Sequence, residues 1–416
     1  MKNNQTPSWL FGVFFFCSLF CIQNSTAQEL NSYIEQAVTN NPDLKGYELR
    51  YTIAQEKVNE ANTLPDTEFG AGYFVSTPET RVGAQRARFS VRQMLPWFGT
   101  ISARSNFQDA LAESEYVNYT IAKRRLALEV AQNYYRIYGI QAKKQVLNQN
   151  RELLQTYEEL ALNLVEVGTA TAVEFLKIKM RQNDLKARQE ILEEELIAAK
   201  IQFNSILNVA ENAPVLIIDS LSIPYLEDEH KITSELVIEN AELLKYDKWL
   251  AELTQFELLN QRDALPKIGV GLDYIPVSER TDMNMINNGK DIVMPMISVS
   301  VPIFNSKYKS VSRQNELRQQ EINSQRSQQL NTLKTLFAEA VKNRNTARIN
   351  YETQLLNLEQ ANDAEEILLK NYETGTIDFN VLLDIEELQL KFQIDQINAV
   401  QSYYEQSAQI NYLILK

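Results

Sequence analysis

The chain has 416 residues, of which only 12 are glycine and 11 are proline, and it carries 54 acidic against 41 basic side chains. Glycine is far below the roughly 7% of average proteins, so long uninterrupted helices are expected, longer than the single core of an ordinary enzyme buries. With 23% charged residues and a net charge of −13, the chain is too polar for a helical membrane transporter and too acidic for a nucleic-acid-binding surface.

The N-terminal residues 1–27 have the pattern of a secretory signal peptide. Lys2 precedes an apolar run over 9–22, and the small residues of 25–27 end the segment. An uncleaved membrane anchor is the alternative, but the run is shorter than the roughly 20 residues that a spanning helix needs. We therefore expect an exported protein whose mature chain begins at Gln28.

Both cysteines of the chain, Cys17 and Cys21, lie in this signal segment. Cys21 follows Phe20, where a lipoprotein signal would have a small residue, so a lipid anchor is not expected. The mature chain then has no cysteine and one histidine, His230, within the polar run 227–231. We interpret it as a solvated loop histidine, and cysteine- or histidine-cluster metal sites are excluded.

The second half of the chain repeats the pattern of the first. A Leu-Pro pair followed by two glycines, a Pro-x-Phe segment and a Glu-x-Gly-Thr segment occur in this order in each half. They lie at 64–72, 96–98 and 166–169 in the first half, and at 265–271, 302–304 and 373–376 in the second. Each half therefore predicts a helix, two strands, a very long helix, a tight turn and a shorter helix.

This pattern divides the mature chain into two repeats, 28–208 and 232–416, with an equatorial linker over 209–231. In the first repeat we expect a β-hairpin over 65–96, a long helix over 100–166, a turn at 168 and a helix over 170–208. In the second repeat we expect a β-hairpin over 266–304, a long helix over 306–372, a turn at 375 and a helix over 376–415.

Inside the two hairpins the hydrophobic period changes from helical to two. The stretches 86–92, 267–274 and 297–301 alternate between apolar and small or polar residues. Such strands in an exported protein fit transmembrane β-strands, and two surface hairpins of a soluble protein are the alternative. Four strands cannot close a barrel in lipid, so several copies of the chain would have to contribute strands.

The helical tracts 100–166 and 306–372 have 67 residues each, a length of about 100 Å. Their apolar stripes are narrow, as at Leu126, Val130 and Ile137, so each helix needs lateral neighbours. A tube of packed helices joined to a β-barrel would satisfy both requirements.

In these features the chain resembles the TolC family of outer-membrane efflux proteins over essentially all of the mature sequence. The duplicated plan, the Leu-Pro entries to the strands, and Tyr372-Glu373-Thr374-Gly375 followed by Val381-Leu382-Leu383-Asp384 carry the resemblance. It implies a mainly α fold with a small β part. The implied assembly is a homotrimer with a periplasmic α-helical barrel and a 12-stranded outer-membrane β-barrel, four strands per chain.

The resemblance also implies a role as the exit duct of a tripartite efflux pump or a type I secretion system in the outer membrane of a Gram-negative-type cell. The expected partners are a periplasmic adaptor (membrane fusion) protein and an inner-membrane pump, with the RND type as the leading expectation. We expect neither enzyme activity nor a cofactor, because the sequence has no Ser/His/Asp set and no glycine-rich phosphate loop.

In the family, side chains at the periplasmic entrance hold it closed. The resemblance implies, at the matching positions of this chain, gate roles for Tyr372, for its carboxylate partner Glu174, and for Asp384 as the inner acid of an entrance ring. The outer acid position is Val381 here, and the family's arginine is Ile377, so one charged link is missing. A solvated helix face is the alternative for Glu174 and Asp384.

The same carry-over places the tip turns and the adaptor-docking region at Gly168 and Thr169 and at Gly375 and Thr376. Glycine suits a turn that ends a helix, because it tolerates positive φ.

Four of the seven methionines, Met283, Met285, Met294 and Met296, fall in the second hairpin. Thioethers suit Cu(I), and the loop resembles that of outer-membrane components of heavy-metal efflux systems. Methionines that fill irregular apolar space at a barrel mouth are the alternative. Multidrug efflux and protein secretion stay open as cargo, and an exported coiled-coil scaffold or adaptor without a pore is the alternative of another class.

Overall fold

A computed structural model of the chain describes residues 25–166, 168, 171–224, 234–282, 285–304, 306–374 and 376–414. Contacts group the chain into two compact units, which we call the sheet unit and the hairpin unit. The sheet unit comprises Gly46–Ile121 and Ala241–Leu330, and the hairpin unit comprises the described residues of Met1–Lys45, Ala122–Asn240 and Asn331–Lys416. Each unit takes segments from both predicted repeats, and the division into repeats stays a prediction.

The predicted signal peptide lies outside the described residues as far as position 24, and two helices follow it. Helix α1 is Ser25–Asn40 and helix α2 is Pro42–Ala61. Asn41 caps α2, because its Oδ1 accepts hydrogen bonds from the backbone N–H of Asp43 at 3.0 Å and of Leu44 at 3.1 Å. Asparagine followed by proline is a sequence pattern that favours a helix start.

The described residues of the sheet unit form six strands. They are β1, Thr67–Tyr73; β2, Glu79–Thr80; β3, Gly83–Ala84; β4, Ala87–Leu95; β5, Lys267–Ile275; and β6, Ile292–Ser300. Four of them form an antiparallel sheet in the order β1, β4, β5, β6. The predicted four-stranded contribution of the chain is therefore present as one continuous sheet.

The register places the apolar side chains of all four strands on one face. Phe69 lies opposite Val91, and Val91 lies opposite Leu272. These side chains are exposed in the single chain, Phe69 by 79% and Ile297 of the same face by 81%. The opposite face carries the polar set Arg88, Ser90, Arg92, Lys267, Asp273 and Ser298. The alternation predicted from the sequence is confirmed by this register.

The short strands β2 and β3 form a separate two-stranded ribbon that sequence periodicity did not predict. Two residues per strand are too few to show a period. Gly83 in this ribbon has a φ of +133°, and a Cβ there would come within 1.8 Å of the carbonyl oxygen of Ser278. Only glycine fits, so the ribbon is fixed against the loop after β5 by close backbone contact.

The remaining helices are long. They are α3, Thr100–Glu166; α4, Ala172–Ile206; α5, Ala241–Asp263, preceded by a 3-10 helix over Ser234–Glu239; α6, Ser306–Glu373; and α7, Phe379–Leu413. In the hairpin unit α3 and α4 run antiparallel, since Gln182 binds Glu158 at 2.9 Å and Gln189 binds Asn148 at 2.6 Å. Helices α6 and α7 form a second such hairpin, in which Gln389 of α7 binds Asn362 of α6 at 3.0 Å.

Side chains from both hairpins share one buried cluster. Its fully or almost fully buried members are Leu147, Leu154, Tyr157, Ala161, Ile178, Leu185, Tyr372, Phe379, Leu382 and Leu390. They recur at helical spacing along each helix, so the four helices bury their narrow apolar stripes against one another.

Two helix starts differ from the sequence prediction. Helix α4 begins at Ala172 rather than 170, because Thr171 and Glu174 form a capping box there. Helix α7 begins at Phe379 rather than 376, because the Asp378 side chain accepts from the backbone N–H of Asn380 at 2.7 Å and caps the helix. Side-chain capping sets the first residue of both helices, and the spacing of hydrophobic residues carries no information about it.

The predicted equatorial linker is described up to residue 224, whereas 225–231, with His230, lies outside the described residues. Backbone groups between Leu216 and Ser222 bond to tyrosine hydroxyls, among them Leu221 N–H to Tyr138 at 3.1 Å and Tyr404 to the Ser222 carbonyl at 2.8 Å. Tyr33 and Tyr134 make similar bonds. These hydroxyls satisfy the backbone hydrogen-bonding groups of an extended segment, which pairs with no strand in the described part of the chain.

None of the helices in the described ranges contains a stretch that is both long and apolar enough to cross a membrane.

Candidate functional site

The described residues at the ends of the two helical hairpins show different local features. Gly168, after α3, has a φ of +81°, which favours glycine. After α6, the backbone N–H and the hydroxyl of Thr376 both donate to the Asn371 carbonyl, at 3.0 and 2.7 Å, and close the helix end. Thr169 and Gly375, which were also assigned to these turns, lie outside the described residues.

The structure brings together the two gate residues that were predicted to be partners. The Tyr372 hydroxyl, on α6, donates to Glu174 Oε2, on α4, at 3.1 Å. Burial and the neighbouring Glu174 carboxylate raise the pKa of Tyr372, so the phenol stays a proton donor at physiological pH. The other oxygen of Glu174 accepts from the Thr171 backbone N–H at 3.4 Å. Glu174 therefore caps its own helix and also holds the second hairpin.

Glu174 is the first of three residues on one face of α4 that contact the second hairpin. Lys177 donates to the side-chain oxygen of Asn380, and Arg181 Nε donates to Glu386 Oε2 at 3.2 Å. Positions 174, 177 and 181 recur at helical spacing, and we call this set the gate stripe. Sequence reasoning identified only its first member.

The third of these contacts, between Arg181 and Glu386, is a buried ion pair. Glu386 is fully buried, and the side chain of Arg181 is 15% exposed. Burial raises the pKa of the Glu386 carboxyl above its ordinary value, and the attraction of Arg181 offsets only part of this effect. Among the described residues, Glu386 Oε1 and Arg181 Nη2 have no hydrogen-bond partner. The pair is therefore incompletely satisfied.

Arg181 also faces two other carboxylates. Its Nη1 lies 3.5 Å from Asp184, on its own helix, and 3.8 Å from Glu387 of α7. Asp184 is in turn bound by Arg188 at 2.9 Å. The guanidinium is thus shared among several acids rather than committed to Glu386.

The predicted ring residue Asp384 lies on a different face of α7. It is exposed in the chain, as are Val381, by 43%, and Leu388, by 42%. These three positions recur at a spacing of three and four residues, so they form one helix face. The structure therefore separates Asp384 from the contacts between the hairpins.

Two of the predicted methionines lie on the polar face of the sheet rather than on its apolar face. Met294 is opposite Asp273, and Met296 is opposite Gly271. Met94 of β4, which sequence reasoning missed, is on the same face opposite Gly269. Its sulfur would lie 2.8 Å from a Cβ built at that glycine, so the side chain leans over β5.

The other two predicted methionines fall outside the described strands. Met285 lies in the loop between β5 and β6, and Met283 lies outside the described residues. No cluster of three or more His, Cys, Asp or Glu side chains suited to a metal ion occurs in the part of the chain that the structure describes.

Residues 33–209 match the family model described as outer membrane efflux protein. Among solved structures, the outer-membrane channel OprN aligns with a TM-score of 0.73 and 19% identity, over 93% of this chain and 89% of that one. CusC aligns with a TM-score of 0.76 and 13% identity, over 93% and 92%. The outer membrane protein VceC of Vibrio cholerae aligns with a TM-score of 0.74 and 15% identity, over 93% and 96%. A comparison with curated proteins finds no match.

Proposed function

We propose that this chain, whose residues 33–209 match the outer membrane efflux protein model, belongs to that family, and that three copies of it form the outer-membrane exit duct of a tripartite efflux system. In this proposal the duct receives substrate from an inner-membrane pump through a periplasmic adaptor protein. The signal segment 1–27 directs the chain to export, and the mature protein carries no lipid anchor.

The two-faced sheet is the observation that carries this proposal. Its apolar face is exposed across all four strands, and its opposite face holds charged side chains and serines. An apolar band beside a polar interior is what a barrel in lipid requires. The outer edges of β1 and β6 have no strand beside them within the described chain, so neighbouring copies would complete the barrel.

The ends of the helical hairpins would form the periplasmic gate. The Tyr372–Glu174 hydrogen bond joins the two hairpins of one chain, so it favours their packed, closed arrangement. Asp384 lies on an exposed face of α7, where three copies could ring the entrance. The turns with Gly168, Thr169, Gly375 and Thr376 would meet the adaptor.

The test is to locate the protein and to measure whether it conducts. We expect the exported protein in the outer-membrane fraction, with migration in gel electrophoresis that changes on heating, and stepwise ion conductance in planar bilayers. An exported scaffold or adaptor without a pore would instead fractionate with the periplasm and give no conductance. That result would contradict the proposal.

For the cargo we favour soft metal cations. Met94, Met294 and Met296 share the polar face of the sheet, which in a barrel would be the lumen, and thioether sulfur suits Cu(I) and Ag(I). Arg88 and Arg92 on the same face repel cations, so the methionines would act as transient contacts and not as a storage site.

The cargo is tested in a strain that lacks the gene. We expect the deletion to raise sensitivity to copper and silver salts and to leave sensitivity to drugs and bile salts unchanged. The opposite pattern would indicate multidrug efflux, and loss of a secreted protein without either sensitivity would indicate type I secretion. Copurification of the adaptor and of the pump, expected to be of the RND type, gives an independent measure.

A further inference from the structure

The gate stripe joins the hairpins by contacts of two physical kinds. The Tyr372–Glu174 contact is a hydrogen bond from a neutral phenol to a carboxylate that is partly exposed. The Arg181–Glu386 contact is an ion pair whose carboxylate is fully buried. A hydrogen bond from a neutral donor needs little desolvation, whereas burying two charges removes much hydration from both.

Apolar side chains flank the ion pair along both helices. Arg181 lies between the buried Ile178 and Leu185 on α4, and Glu386 lies between the buried Leu382 and Leu390 on α7. The surroundings therefore supply few dipoles to replace water around the charges.

The two charged side chains also leave some of their polar atoms without hydrogen bonds. One carboxylate oxygen of Glu386 and one guanidinium nitrogen of Arg181 have no partner among the described residues. Arg181 is shared with Asp184 and Glu387, so its attraction to Glu386 is divided. A buried pair repays its desolvation only when the geometry is good and the remaining donors and acceptors are bonded.

We propose that the Arg181–Glu386 ion pair destabilises the closed gate, so that the packed and separated arrangements of the two hairpins are similar in free energy. This inference rests on the proposed function as a gated duct. When the hairpins separate, Glu386 regains water, and Arg181 keeps Asp184 on its own helix. The pair therefore favours opening, while the Tyr372–Glu174 bond opposes it.

The deciding experiment replaces the pair by apolar side chains of similar size, Arg181→Met with Glu386→Leu, in the full-length trimer. Single-channel recordings in planar bilayers give the open probability without adaptor. The matched control is Lys186→Gln with Glu190→Gln, which removes an exposed ion pair of α4, with side chains 67% and 70% exposed. Such a surface pair contributes little to stability.

We expect the apolar double variant to lower the open probability by about tenfold, since apolar replacement of a buried ion pair is commonly stabilising. The control should keep the wild-type value. An unchanged or raised open probability in the apolar variant would overturn the inference, because it would mean that the pair holds the gate closed or has no effect.

A second measurement uses the absence of cysteine from the predicted mature chain. A spin label on a Thr376→Cys variant reports distances between copies at the hairpin ends, and the apolar variant should give a narrower distribution centred on the shorter distances. A broader distribution would count against the inference. Absence of conductance in the wild-type protein would instead contradict the proposed duct function, so the two failures are distinguishable.

Discussion

Glu386 is a charged residue at a position where the helical period of α7 calls for an apolar one. The buried face of α7 contains Phe379, Leu382 and Leu390. Glu386 lies on the same face, four residues after Leu382 and four before Leu390. That pattern was visible in the sequence as a carboxylate inside an apolar stripe. Its partner Arg181 was not, because 205 residues separate the two and only the packing of the hairpins brings them together.

The raised pKa of Glu386 predicts a pH dependence with a defined sign for the proposed gate. The closed arrangement raises this pKa, and hydration in an open arrangement would return it toward the ordinary value of about 4.3. The closed state then binds the proton more tightly, so acidification favours closure, and a pH rise through the raised pKa favours opening. The charged groups that act on the carboxyl are Arg181 and Arg188 of α4 and Glu387 of α7, and Tyr157 of α3 interacts with it as well. Behind them, Asp184 contacts Arg181 and Glu365 accepts from Tyr157.

We therefore expect the open probability of the wild-type channel to fall as the pH is lowered from neutral toward the ordinary carboxyl pKa of about 4.3. A Glu386→Gln variant cannot titrate at this position and should lose that part of the pH dependence. The measurement is a pH series of bilayer recordings on both proteins, with Glu190→Gln as the control for an exposed acid. A wild-type open probability that rises on acidification would contradict the sign.

At the scale of elements, the turn after α3 depends on a single backbone conformation. Gly168 has a φ of +81°, and a Cβ at this position would meet no atom within 4 Å. Gly168→Ala would thus act through backbone strain alone, with a cost of about 1 kcal/mol. We expect amide hydrogen exchange in the turn to become about fivefold faster, and Gly168→Asn to have a smaller effect, because asparagine tolerates this region.

Gly46 provides the matched control for that substitution. It lies inside helix α2 with a helical φ, and a Cβ there also meets no atom within 4 Å. Gly46→Ala should slow exchange in α2, because alanine is the better helix former by up to about 1 kcal/mol. The same substitution therefore has opposite expected signs at the two sites. Equal effects would show that the turn at Gly168 is not strained.

The elements were predictable from the sequence where one residue pattern decides them. The absence of proline and the scarcity of glycine, with Gly139 alone in the tract, placed α3 at Thr100–Glu166, as expected. Period-two alternation located the four long strands. The start of α7 was wrong by three residues, because Asp378 caps the helix through its side chain. The linker itself was predicted, but its extended conformation was not, since tyrosine hydroxyls from distant helices support it and no local pattern encodes them.

On the scale of the whole molecule, a single chain leaves its sheet incomplete. Strand β6 is an edge of the sheet, and it contains Pro295, a residue without an N–H that is tolerated at edge strands. In the proposed trimer, further copies would complete the barrel around the sheet and bring the exposed faces of α7 together. Side-chain roles at the entrance must therefore be tested in the assembled trimer.

Asp384 is the residue whose effect depends most directly on that assembly. Three copies would place three carboxylates around the entrance, where their summed potential attracts cations and repels anions. Because Val381 occupies the outer of the two predicted acid positions, Asp384 would be the acid that each chain contributes to this ring.

Asp384→Asn should therefore lower the cation-to-anion permeability ratio by about twofold or more. Reversal potentials in a salt gradient across a planar bilayer measure this ratio. Glu190→Gln, which removes an exposed acid from α4, should leave it unchanged. An unaltered ratio in Asp384→Asn would place the selectivity of the duct elsewhere, with the charged polar face of the sheet as the next candidate, because Arg88, Arg92 and Asp273 all lie there.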